Sequence, residues 1–234
     1  MRPSAPPPEA DPPTAGAGHG LVVLGIDPGL RATGWGVLAL VGLDEGLVEE
    51  SSLSARGSTG SPRAKLPSHS SPLTLSLSKG GAGREELTVL GYGAVTTETA
   101  VPLPERLRCL AVGLREVIGR WQPAEVAVEE AFVAANKRVA IAMGEARGVA
   151  LLAAAEAGLP VFEYSACEAK QAVSGYGRGS KEQVQEMLRL QLGLETAPQP
   201  ADAADALATA LCHLMRRRAE ARVAGAASLS GGRA

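Results

Sequence analysis

The sequence predicts an α/β domain, a mixed five-stranded sheet flanked by helices, and three observations predict it. An apolar run of strand length, Leu21 to Ile26, stops abruptly at Asp27-Pro28-Gly29. Two further strand-like segments follow before any stretch with helical period appears. Helix, strand, helix and strand then alternate before a wholly helical end.

The elements justify themselves in order. In Leu21-Val22-Val23-Leu24-Gly25-Ile26 the unbroken apolar character marks a buried central strand, ended by a proline that stops the ladder and a glycine that permits a tight turn. Thr33 to Leu40 reads as a second strand, hairpin-linked to the first. Its glycines, Gly34 and Gly36, suggest close approach of another backbone or a ligand, or packing alone. Leu87 to Val95 reads as the third antiparallel strand. Pro104 to Trp121 places Leu107, Leu110, Leu114, Val117 and Ile118 on one helical face and Arg106, Arg108, Arg115 and Arg120 on the other. Val126-Ala127-Val128 is a short buried strand ending in Glu129-Glu130. Asn136 to Ala157 is an alanine-rich helix closed by Gly158, with Gly144 and Gly148 one turn apart. Val161 to Tyr164 is the fifth strand, Ser165 caps a helix through Val173, and Ser180 caps another over Lys181 to Leu192. Pro198 and Pro200 break the chain before a last helix from about Asp202 to Ala221. Three strands, helix, strand, helix, strand and helices is the layout of a ribonuclease H-like sheet.

Domain organisation follows from where composition shifts. Residues 1–20, rich in Pro, Ala and Gly, are expected to be a disordered extension, because they cannot bury enough apolar surface to offset the entropy of ordering. A second shift, to Ser, Gly and Pro, spans about 43–86 and predicts a low-complexity insertion at a hairpin tip. One domain is thus expected over 21–222, followed by a flexible tail at 223–234.

Composition narrows the function classes. A net charge of −2 gives no global electrostatic footprint for nucleic acid, so any such site requires a local basic patch. Cys109, Cys167 and Cys212 lie far apart without paired spacing, which argues against a disulfide framework and a zinc site and fits a reducing cytoplasm. The N-terminal stretch has no apolar core, so neither a signal peptide nor a membrane span is expected.

The chemistry-bearing residues are carboxylates. Asp27 closes one strand, Glu129 or Glu130 another, and Asp202 and Asp205 share one face at a helix start. Phosphodiester hydrolysis by a pair of hard cations requires such a cluster from distant segments. Each has a plainer reading alone: Asp27 as a turn residue, Asp202 and Asp205 as helix-dipole partners.

Several segments together resemble a known family. Gly25-Ile26-Asp27-Pro28-Gly29, Thr33-Gly34-Trp35-Gly36-Val37 and Val128-Glu129-Glu130-Ala131-Phe132 are similar, in order, to motifs of the bacterial RuvC-type Holliday junction resolvases, the crossover junction endodeoxyribonucleases. So are Gly144 to Val149, Val161 to Tyr164, Lys170 to Gly175 and Ala201 to Ala208. The resemblance implies that Asp27, Glu129, Asp202 and Asp205 are catalytic and bind two Mg2+ ions per active site, with Mn2+ as a substitute. It implies that Phe132 stacks as a wedge beside the opened junction, where an aromatic ring contributes roughly 1 to 3 kcal/mol per base. Lys170 and Lys181, with Arg138 and Arg147 as helpers, would contact DNA. It further implies recombination and DNA-repair work as a homodimer on four-way junction DNA, partnered by a branch-migration motor of the RuvA-RuvB type. Two other readings stand beside it: an RNA-processing nuclease of the same fold, and an actin-like-fold ATPase or kinase. The second would need further glycine-rich loops and another half-domain, and neither is found.

Overall fold

The computed structural model describes residues 20–41, 73–77, 85–130, 137–175 and 180–231, as backbone alone at 73–77 and 227–231. The N-terminal extension, except Gly20, and most of the 43–86 insertion lie outside these residues.

Strands β1 (Gly20–Asp27) and β2 (Ala32–Val41) form the expected hairpin, with Asp27 opposite Gly34. A short strand, β3 (Leu73–Leu77), precedes β4 (Glu85–Thr96), and the two pair antiparallel. Helix α1 (Leu103–Trp121) leads to β5 (Glu125–Glu129), α2 (Lys137–Glu156) to β6 (Val161–Tyr164), and α3 (Ala166–Ser174), α4 (Lys181–Gln191) and α5 (Ala201–Gly231) complete the chain. The strands lie in the order β3-β4-β2-β1-β5-β6. Both β5–β1 and β5–β6 are parallel pairs, so the predicted five-stranded mixed sheet is present, with β3 added on its edge.

Neighbouring residues on β1 enter different cores. Leu24 and Ile26 face α1 and α2, where they meet Leu110, Leu114, Ala146 and Ala150. Val23 faces the layer of α3 to α5, with Leu188, Leu207 and Leu211. Apolar burial on both faces explains the unbroken hydrophobic run, which a half-solvated strand would not show. Ser165 and Ser180 cap α3 and α4 through reciprocal capping boxes with Glu168 and Gln183.

Two expectations are corrected. The insertion at 43–86 is not wholly without regular structure, because Leu73–Leu77 adds to the edge of β4. Helix α5 continues to Gly231 and does not stop near Ala221, so the segment at 223–234 is helical through most of its length. Ion pairs lie just before this extension: Arg216 and Arg217 reach Glu220, and Arg218 and Arg222 reach Glu85 at the start of β4. Among the described residues, no helix is long and apolar enough to cross a membrane.

Candidate functional site

Parallel pairing of β1 with β5 aligns Ile26 with Val128, which puts Asp27 and Glu129 side by side where the two strands end. Adjacent strands lie about 4.8 Å apart, so these carboxylates are neighbours through the backbone alone. Helix α5 brings the other two. Its first turn lies against β2 so closely that a Cβ built on Gly34 would fall 1.9 Å from the Asp202 carbonyl oxygen. One turn later, a Cβ on Gly25 would fall 2.1 Å from the Ala206 carbonyl oxygen. The strand glycines therefore serve the approach of another backbone, and that backbone carries Asp202 and Asp205.

The turn after Asp27 is fixed from two sides. Buried Thr33 donates its hydroxyl to the Gly29 carbonyl at 2.8 Å. From α1, Arg106 donates to the Leu30 carbonyl at 3.1 Å and to the Thr97 hydroxyl at 2.9 Å, while that hydroxyl donates to the same carbonyl at 2.6 Å. Arg106 looked like one of several solvated helix charges. Only its pairing with residues far along the chain reveals that it holds the Asp27 turn.

The electrostatics of the cluster are strained. Burial, and after it the negative charges of Glu129, Asp205 and Asp202, push the Asp27 carboxyl up to about 8, although Lys181 pulls the other way. Burial and then Asp205 also raise Glu129 above the usual range, against Lys170 and Lys181. Lys181 donates to Asp205 Oδ2 at 2.9 Å, and this hydrogen bond raises its own ammonium further. A cleft lined by Glu129, Lys170, Lys181, Val184 and Asp205 opens beside the cluster, and a smaller one joins Asp27 and Glu129 to Arg147.

Cation binding fits this donor set. The four groups are hard oxygen ligands, and burial together with the three neighbouring carboxylates raises Asp27, which a bound cation would offset. Among the described residues, no three His, Cys, Asp or Glu side chains are drawn into metal-binding geometry. Asp205 is paired with Lys181.

The remaining expected residues divide. Lys170 and Lys181 line the cleft. Arg147 is ion-paired with Glu163 of β6 at 2.5 Å, which ties α2 to the sheet behind the cluster. Arg138 is exposed near the start of α2. Phe132 lies outside the described residues. Of the adjacent glutamates, Glu129 turns inward and Glu130 is exposed, as strand alternation requires.

A second polar assembly, not evident from the sequence, lies on the same helix. His213 of α5 is fully buried, with Nε2 at 2.5 Å from Glu125 and Nδ1 at 2.7 Å from the Tyr164 hydroxyl. Arg217 donates to the other Glu125 oxygen at 2.8 Å. The signal was a histidine in an apolar helix and a glutamate opening an apolar strand, each of which needs a partner when buried.

Comparison with known proteins gives consistent results. The family described as crossover junction endodeoxyribonuclease RuvC matches residues 77–213. A protein of that name from Rubrobacter xylanophilus is 40% identical over 200 residues, covering 86% of this chain and 88% of its own. One from Chloroflexus aggregans is 56% identical over 127 residues, covering 54% of this chain and 77% of its own. The structure titled T. thermophilus RuvC in complex with Holliday junction substrate superposes with a TM-score of 0.62 at 33% identity, covering 86% of this chain and 97% of that one.

Proposed function

The chain belongs to the RuvC family of crossover junction endodeoxyribonucleases, and from that premise we propose that it cuts four-way DNA junctions by paired symmetric nicks, using Asp27, Glu129, Asp202 and Asp205 as its metal-binding and catalytic carboxylates. The observation that carries this assignment is the convergence of the four carboxylates, Asp27 and Glu129 at adjacent parallel strand ends and Asp202 and Asp205 on the helix packed against them, with the Asp27 carboxyl pushed up to about 8 by burial and by the other three. So crowded a set of hard oxygen ligands fits divalent cations, which would offset the repulsion among them. Two Mg2+ ions, with Mn2+ as a substitute, would supply an activated water and stabilisation of the departing oxygen.

The chain's own residues do the rest. Asp27 and Glu129 provide a fixed wall of carboxylate oxygens, because both end central strands. Asp202 and Asp205 close the other side from α5. Lys181 compensates Asp205 in the free protein and, with Lys170, offers ammonium charge to the DNA backbone across the cleft. Phe132, next to the Glu129-Glu130 strand end, is assigned the stacking role, with Arg138 a backbone contact.

A homodimer is part of the proposal, since two symmetric nicks match two-fold symmetry. Its support is a stripe on α2: Ile141 and Leu152 are 62% and 52% exposed, and a Cβ on Gly144 or Gly148 between them would meet nothing within 4 Å. A branch-migration motor of the RuvA-RuvB type is the proposed partner. The assay is a synthetic mobile four-way junction with Mg2+. Paired nicks are expected from the wild type, and Asp27→Asn should bind the junction while cutting about 1,000-fold more slowly. Cutting by that variant at the wild-type rate would remove Asp27 from the site.

A further inference from the structure

The buried assembly further along α5 has no part in the chemistry above, yet it is tied to the helix that carries half of it. Tyr164, His213, Glu125 and Arg217 form one continuous chain from β6, across α5, to the start of β5. Phe162 flanks it, its ring 4.5 Å from the imidazole and 5.8 Å from the Arg217 guanidinium carbon. Both ring nitrogens of His213 are satisfied, Nδ1 by the Tyr164 hydroxyl and Nε2 by the Glu125 carboxylate.

The rest of the α5 interface is poor in such features. Ala203, Ala204, Ala206, Ala208 and Ala210 are buried there, and the larger buried side chains, Leu207, Leu211 and Leu214, are apolar and make no directional contact. Small side chains permit close approach but interdigitate little, so they resist rotation and sliding weakly. Directional hydrogen bonds in a dry interior do resist both, because a shifted helix would leave buried polar atoms unpaired. The spacing makes this relevant to the site. His213 follows Asp202 by three helical turns, about 16 Å along the axis and within roughly 20° of the same azimuth. Fixing His213 therefore fixes the direction in which Asp202 points.

We propose that His213 is a positioning residue: anchored by Tyr164 and Glu125, it sets the rotation and register of α5 that turn Asp202 and Asp205 toward Asp27 and Glu129. The proposal rests on the four-carboxylate site, so its test carries Asp205→Asn as a control. Four proteins, His213→Phe, His213→Gln, Tyr164→Phe and Asp205→Asn, are compared with wild type in three measurements. These are single-turnover junction cleavage with Mg2+, junction binding with Ca2+, and the rise in melting temperature caused by Mn2+ alone.

His213→Phe is expected to cleave about 10- to 100-fold more slowly, the scale on which small misplacements act. It should bind the junction within about twofold of wild type and lose most of the Mn2+-induced rise. His213→Gln, which retains hydrogen-bonding atoms, should return cleavage to within about threefold, with Tyr164→Phe between the two. Wild-type cleavage and Mn2+ response in folded His213→Phe would overturn the positioning role. So would cleavage and binding that fall together in proportion to the folded fraction, since that marks a purely structural residue. If His213→Phe does not fold, Tyr164→Phe decides, and wild-type cleavage by it overturns the proposal. Failure of the His213 set beside an inactive Asp205→Asn overturns positioning alone; an active Asp205→Asn overturns the carboxylate assignment and this inference with it.

Discussion

Glu125 and Glu129 stand at opposite ends of one five-residue strand, on the same face, under the same helix, and their environments act on them in opposite directions. Burial would raise both. At Glu125 the hydrogen bond and charge of His213, and then Arg217, outweigh burial and hold the carboxyl below the usual range. At Glu129 the next largest influence is Asp205, another negative charge, and the carboxyl is raised. One end of the strand is a compensated structural assembly. The other is crowded with negative charge, as the proposed cation site requires.

The sharpest way to break this contrast is to neutralise each glutamate in turn. Glu129→Gln is expected to lower junction cleavage by about 1,000-fold while leaving the metal-free melting temperature unchanged or higher. Glu125→Gln should keep cleavage within about threefold but lose roughly 1 to 3 kcal/mol of stability, because a buried charge-assisted pair is weakened. Denaturant melts and single-turnover assays on both proteins measure the two effects. If Glu125→Gln were the inactive variant and Glu129→Gln the unstable one, the division of labour along β5 would be reversed.

The next effect concerns how α5 reaches the strained end. Gly34→Ala should cost about 1 to 3 kcal/mol and slow cleavage by about 100-fold, since the new Cβ would displace the turn bearing Asp202. The same substitution at Gly148, open to solvent in the free chain, should leave the unfolding free energy nearly unchanged. Equal losses at the two positions would mean that the Asp202 turn yields without consequence.

The two regions also differ in how far the sequence discloses them. The carboxylate cluster was legible because strand ends, a helix start and motif order are local signals. The elements that carry it were too, with β6 at Val161–Tyr164 as expected and the caps at Ser165 and Ser180 as read. The compensated assembly was not, because it joins residues 49 and 88 positions apart. Periodicity places His213 in the core and says nothing of its partners. Arg106 and Arg147 were likewise visible as charges while their roles depended on partners elsewhere. Strand β3 escaped because Leu-Thr-Leu-Ser-Leu lies in serine-rich surroundings, and what organises it is the free edge of β4.

The smallest predicted effect is a dependence on pH that only the strained region should produce at neutral pH. The Asp27 carboxyl is pushed up to about 8 in the folded protein, against 3.8 for a free side chain. Between those values the folded state holds a proton that the unfolded chain has released, so metal-free stability should fall as pH rises through this window and level off above it. Glu125 has the opposite sign: its folded carboxyl is depressed, so its contribution is present above the unfolded glutamate range and is lost only on the acid side. Raising pH from 6 to 8 in the absence of divalent cations should therefore lower the melting temperature by about 2 to 6 °C. Asp27→Asn should flatten that slope, since it removes the proton and the charge together, while Glu125→Gln leaves it in place. Saturating Mn2+ should also flatten it in the wild type, by favouring the ionised carboxylate that the free protein resists. A metal-free profile that does not change between pH 6 and 8 in the wild type would mean that the crowding around Asp27 is relieved by some means other than bound cations.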